Sequence, residues 1–152
     1  MAKNSYEKYI ARNVIGEMGH ETDPNSIRHE VMNSPYVTSS RDLLQVIEGA
    51  RPNFALYYVL KEGMFLERPH YHTNDEYLMF ISSDPHDMKN LGAVVQVAFG
   101  EEWGKVEFST SALVYFPKNL QHMPLHVKNM KRPFLFGHFW PMGEETNFHP
   151  GK

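Results

Sequence analysis

Cysteine is absent from all 152 residues, so the chain has no disulfide framework, no thiolate ligand and no thiol nucleophile. Any metal it holds must be bound by histidine and carboxylate. A basic excess is missing too: 15 Lys and Arg stand against 18 Asp and Glu, for a formal charge of -3, and the scattered cations give no electrostatic footprint for nucleic acid. No apolar run approaches the roughly 20 residues that a membrane span needs, and the opening Met-Ala-Lys-Asn-Ser-Tyr-Glu lacks the apolar segment of a secretory signal. The expectation is a cytoplasmic protein that engages neither nucleic acid nor membrane.

What is present reads as one globular domain, since 41% of residues are hydrophobic and 13% aromatic in a chain long enough to bury a single core. Residues 1–38 are polar and punctuated by Gly16, Gly19, Pro24 and Pro35. With a short helix, capped by Ser39 or Ser40, striped by Leu43, Leu44 and Ile47 and stopped by Gly49, they predict an arm over 1–52 packed on the rest. From residue 53 the pattern changes to short strands. Phe54 to Leu60, Tyr77 to Ile81, Ala93 to Phe99, Val106 to Phe108, Leu113 to Phe116, Leu125 to Val127 and Phe134 to Trp140 are separated by turn formers, which argues for an all-β sandwich or barrel over 53–140. The tail, 141–152, carries Gly143, Pro150 and Gly151 and is expected to be irregular.

One stretch organises the chain: Pro69-His70-Tyr71-His72-Thr73-Asn74-Asp75-Glu76-Tyr77. In an extended strand alternate side chains share a face, so His70 and His72 set two imidazoles side by side. Thr73, Asn74 and Asp75 turn the chain, and Glu76 opens the next strand with a carboxylate able to return to the same place. Two imidazoles and a carboxylate suit a divalent first-row metal. A fourth ligand must come from a distant strand, and His122, after the turn Pro117-Lys118-Asn119-Leu120-Gln121, offers it.

These residues resemble the cupin superfamily, whose first motif reads G-x5-H-x-H-x3,4-E-x6-G and whose second reads G-x5-P-x-G-x2-H-x3-N. Here the first is Gly63, His70, His72 and Glu76, with one extra residue before the first His and Ser83 in place of the closing Gly. The second is Pro117, Asn119 and His122, with Asn119 where the family has Gly and His126 where it has Asn. Asn tolerates a left-handed backbone, so Asn119 can make the same turn. The resemblance spans roughly residues 54 to 140. It implies a double-stranded β-helix, or jelly-roll barrel, with one divalent ion (Mn, Fe, Zn, Ni or Co) on His70, His72, Glu76 and His122.

Alternation from Glu76 turns Leu78 and Phe80 inward and Tyr77 and Met79 outward. Phe134, Phe136, His138 and Trp140 share one face of the last strand. If that face is inward, His138 is the candidate general base, because apolar neighbours bias an imidazole toward its neutral form. His126, placed to share the face of His122, is the second catalytic or supporting candidate; Tyr57, Tyr58 and Gln96 are weaker polar ones. Four protein ligands on a six-coordinate ion leave room for a small organic substrate, alone or with dioxygen. The aromatic surroundings point toward a dioxygenase acting on an aromatic, enediol or diketone-like molecule. A redox-neutral lyase, isomerase, cyclase or ring-opening hydrolase is the alternative, as is a non-catalytic ligand-binding module. A homodimer is expected, with Tyr6, Tyr9, Ile10, Val14 and Ile15 of the arm packing on the neighbouring chain.

Overall fold

The computed structural model describes residues 16–17, 35–39, 54–65, 68–141 and 146–148. Twelve strands run through them: β1 (Gly16–Glu17), β2 (Pro35–Ser39), β3 (Phe54–Val59), β4 (Gly63–Phe65), β5 (His70–His72), β6 (Glu76–Ser82), β7 (Asn90–Phe99), β8 (Gly104–Thr110), β9 (Ala112–Phe116), β10 (His122–Lys128), β11 (Phe134–Phe139) and β12 (Thr146–Phe148). All the pairings are antiparallel. One sheet has the order β1-β2-β3-β11-β6-β9. The other has the order β12-β5-β10-β7-β8, with β4 also on β10.

The two sheets meet through the inward half of each alternating strand, and β6 shows the principle most simply. Glu76, Leu78, Phe80 and Ser82 are buried while Tyr77, Met79 and Ile81 are half-buried on the other side. Phe134 and Phe136 of β11, Val95 and Val97 of β7, and Leu125 and Val127 of β10 complete the core with Phe116. Phe80, Phe116, Phe134 and Phe136 are each almost wholly buried, and truncating any of them to Ala is expected to cost about 3–5 kcal/mol.

Register separates the two ends of this barrel. Ser82, Asn90 and Phe134 lie at one end, where Arg132 reaches the Asn90 carbonyl and the carboxylates of Asp84 and Asp87. Arg132 lies across Gly92, whose φ is +77 and where a Cβ would sit 2.5 Å from Arg132 Cγ, so a side chain there would collide with the latch. Glu76, Phe99 and His122 gather at the opposite end.

Ser39 closes a strand, and the rest of the helix expected over 39–49 lies outside the described residues, as do Tyr6, Tyr9, Ile10, Val14 and Ile15. Within the arm, β2 extends the first sheet by pairing with β3. In the tail, which was expected to be irregular, Thr146–Phe148 forms a strand on β5, with Thr146 opposite His72 and Phe148 opposite His70. A three-residue strand at a sheet edge presents unpaired amides and carbonyls, and β12 satisfies them.

Candidate metal centre

His70 and His72 alternate on β5 as their spacing requires, and their ring centroids lie 5.0 Å apart. β10 runs beside β5 with His122 directly opposite His70, their rings 4.5 Å apart. The turn that delivers His122 is tied to the first motif: Asn119 N–H donates to the His72 carbonyl at 2.7 Å, and Lys118 N–H to the Asp75 carboxylate at 3.0 Å. Asn119 adopts a φ of 66, the left-handed conformation that lets it stand where the family has Gly. Phe116, the residue before that turn, stacks on His122 with ring centroids 4.1 Å apart and 15° between planes. Its role could not be read from residue type, because an aromatic ending a strand reads as core.

The result is a set of four side chains, His70, His72, Glu76 and His122, whose ligating atoms all lie within 4.8 Å of one another. Glu76 and His72 are 3% exposed and His122 1%. A carboxylate this deep is costly unless a cation neutralises it. Glu76 Oε2 lies 3.0 Å from His122 Nε2 and 3.2 Å from His72 Nε2.

The hydrogen bonds behind the rings decide what those contacts mean. His70 Nδ1 donates to the Arg68 carbonyl at 2.7 Å, and His122 Nδ1 to the Leu120 carbonyl at 2.8 Å. A neutral ring with its proton on Nδ1 carries a lone pair on Nε2, directed at the cluster. Glu76 Oε2 and His122 Nε2 are therefore two buried acceptors facing each other, and neither has a hydrogen-bond partner. A proton or a metal ion between them removes the conflict. Metal to imidazole bonds run at about 2.0–2.1 Å, so two ligands at right angles around one ion sit about 3 Å apart, which matches both short contacts. Three nitrogens and one carboxylate oxygen form a donor set for a divalent first-row ion, and the residues fit that group.

The electrostatics agree. Burial pushes the His70 pKa down to about 4, with the neighbouring His122 and His72 acting in the same direction, so its ring is neutral and able to ligate at pH 7. Burial would raise the Glu76 pKa, but positive charge and hydrogen donation from His122 and His72 outweigh it and hold the carboxyl at about 2, which requires a proton on the nitrogens that face it wherever no ion takes its place.

The other sequence candidates divide. His138 lies on the inward face of β11 with Phe134, Phe136 and Trp140, half-buried, its ring 4.2 Å from Trp140 and 5.9 Å from Tyr57. Trp140 in turn packs edge-on against His72 at 5.6 Å, and its buried indole Nε1 has no hydrogen-bond partner. Tyr57 is inward and buried. His126 does not share the face of His122. β10 pairs His122 with Phe99 but Leu125 with Val97, so three residues on β10 match two on β7, and this bulge reverses the parity. Leu125 and Val127 point into the core and His126 points out, where burial and the charges of Lys128 and Lys105 lower its pKa. Gln96, opposite His126, is outward as well and donates to Glu107.

No protein-family model matches the sequence, and no curated protein matches it. Solved structures do. A sugar phosphate isomerase of the cupin superfamily from Silicibacter pomeroyi is similar with a TM-score of 0.51 at 14% identity, over 86% of this chain and 74% of that one. A polyketide cyclase from Streptomyces resistomycificus gives 0.47 at 12% identity, over 69% of this chain and 66% of that one, just under two thirds of its length. A cupin domain from Bordetella pertussis gives 0.37 at 10% identity, over 68% and 86%. At these identities the likeness is one of fold. Two antiparallel sheets closed on an aromatic core, with the two motifs meeting at one end, give this chain the jelly-roll fold of the cupin superfamily.

Proposed function

We propose that this protein is a metal-dependent enzyme acting on a small organic molecule, with dioxygen-dependent cleavage of an aromatic, enediol or diketone-like substrate as its reaction. The observation that carries the reading is the buried contact of His122 Nε2 with Glu76 Oε2, two acceptors 3.0 Å apart without a hydrogen-bond partner. His70, His72, Glu76 and His122 would hold the ion. When bound, it supplies a Lewis acid and, for a redox-active metal, an electron relay to dioxygen.

The chain's own residues do the rest. Phe116 and Trp140 flank His122 and His72, exclude water from the ligands and offer flat apolar walls to a planar substrate. Trp140 Nε1 is a buried donor with its hydrogen bond to give, suited to a substrate oxygen. His138, beside Trp140, would accept the proton of a substrate hydroxyl or enol.

Redox-neutral proton transfer is the second reading, favoured by the position of His138. Metal analysis of protein purified without a chelating tag, then turnover on catechols, enediols and β-diketones with and without dioxygen, separates the two. Turnover that needs dioxygen supports the dioxygenase; turnover unchanged without it supports an isomerase, lyase or hydrolase. Protein that binds no divalent metal at neutral pH overturns both. His138→Gln should keep the metal, lose most turnover and move the acidic limb of the pH profile.

A further inference from the structure

Asp75 and Glu76 are adjacent carboxylates with different destinations. Glu76 opens β6 on the inner face and joins the cluster, whereas Asp75, one position earlier and half-buried, reaches the turn of the second motif. Register explains the reach. Glu76 stands opposite Phe116 and Tyr77 opposite Tyr115, so the pairing of β6 with β9 runs out where Asp75 meets the residues that follow Phe116. The Asp75 carboxylate accepts from Lys118 N–H at 3.0 Å and from the Tyr115 hydroxyl. Tyr115 belongs to a row on the outer face of the first sheet, with Tyr77 5.2 Å from it and 6.3 Å from Phe139.

These two partners bracket Phe116, the ring that stacks on His122, and one of them lies in the turn that aims His122. Leu120 N–H closes that turn on the Pro117 carbonyl at 3.1 Å, and the Leu120 carbonyl accepts from His122 Nδ1 at 2.8 Å. This acceptor decides which His122 nitrogen faces the cluster, so whatever fixes Leu120 fixes the ligand. Among the described residues, the turn is held to neighbouring segments by Asn119 N–H on the His72 carbonyl, by Gly100 N–H on the Gln121 carbonyl, both at 2.7 Å, and by Lys118 N–H on Asp75. The first two are backbone to backbone. Asp75 supplies the third from a side chain, which makes it the one that a substitution removes while the strand pairing stays. A ligand that drifts by more than about 0.5 Å leaves the geometry an ion needs.

We propose that Asp75 is a positioning residue of the metal centre: by clamping Lys118 and Tyr115 it holds His122 at the spacing the other three ligands require, and so sets the affinity and coordination geometry of the bound ion. This rests on the metal-binding reading above and on no particular reaction. Asp75 acts through the turn, by hydrogen bonds and not by its charge. An amide of the same shape can therefore replace it, since an Asn oxygen accepts from Lys118 N–H and its NH2 donates to the Tyr115 oxygen.

Titration of metal-free full-length protein with Co(II), whose visible absorption reports coordination geometry, tests the proposal, with amide exchange followed at Lys118 and Asn119. Asp75→Ala should lower Co(II) affinity about 10-fold, alter the visible spectrum and speed exchange of the Lys118 amide. Asp75→Asn should restore affinity, to within about 3-fold, together with the original spectrum. Tyr115→Phe, which frees one side of the carboxylate, should give a smaller loss in the same direction, and it stands in for Asp75→Ala should that chain not fold. Val59→Ala, buried at the opposite end of the barrel beside Phe134, should lower the melting temperature and leave the Co(II) spectrum unchanged, so that destabilisation alone does not imitate the effect. Unchanged Co(II) affinity and spectrum in Asp75→Ala, or in Tyr115→Phe in its place, overturns the proposal. So does an Asp75→Asn chain as impaired as Asp75→Ala, which would make charge the operative feature. An unmodified chain that binds no Co(II) overturns the metal reading itself and this proposal with it, a failure told apart from the others by the unmodified chain alone.

Discussion

Two glutamates show how differently the two regions of this barrel use the same side chain. Glu76 inside meets His122 and His72; Glu107 outside meets Lys128 and Gln96. Both carboxyls are held below their ordinary pKa, and both owe it to nitrogen-bearing neighbours. The likeness stops there. Glu107 is exposed, so water and salt screen its pair and would replace its partners if they left. Glu76 is 3% exposed, with no water to replace anything, so its partners must be present or the charge must go. A lowered pKa marks a candidate centre only where burial removes the alternatives.

The sharpest way to break the contrast is to remove one interior ligand. Glu76→Ala, His72→Ala or His122→Ala should each lower divalent-metal affinity by more than about 100-fold, beyond what loss of an outer partner of a ligand costs, as read by elemental analysis and metal titration. Stripping the ion with a chelator should lower the melting temperature; at 1,000 times the dissociation constant the bound ion is worth about 4 kcal/mol.

Acid should separate the regions next. His70 has a folded pKa of about 4 against an ordinary 6.5, so between those values the unfolded chain binds the extra proton and stability falls as pH drops. The loss amounts to on the order of 3 kcal/mol by pH 4. Glu76 continues it in the same direction, since its carboxyl is at about 2 when folded against 4.5 when unfolded. Denaturant titration of metal-free protein from pH 7 to 3 should show this decline, and a flat profile would contradict the buried geometry.

The outer region should answer weakly. His126→Ala should leave metal content and turnover unchanged, because the β10 bulge turns it away from the cluster. Glu107→Gln should leave both unchanged and shift the melting temperature by no more than experimental error. A large effect of either would mean that the outer face of the second sheet takes part in the chemistry.

Much of this was legible in the sequence because it depends on period-2 alternation, a local property of an extended chain. That alternation set His70 and His72 on one face, Leu78 and Phe80 inward with Glu76, and His138 on the face of Phe134 and Phe136. Asn119 as the left-handed turn residue was legible for the same kind of reason, a steric preference of one residue type. Where a conclusion required knowing which strands become neighbours, only the motif resemblance helped, as it did in placing His122 with His70, His72 and Glu76; beyond it the sequence fell short. The extra residue between His122 and Leu125 sends His126 outward, and such a bulge is visible only against the partner strand β7. Phe116 lies on His122, and β12 completes the edge of β5, because of where distant segments come to rest. The outer rows of the first sheet show it best. Each strand displays its apolar residues in the sequence, but Phe139, Tyr77 and Tyr115 become one continuous surface only when β11, β6 and β9 pair in register, since contiguity across a sheet is a property of long-range hydrogen bonding that no single strand carries.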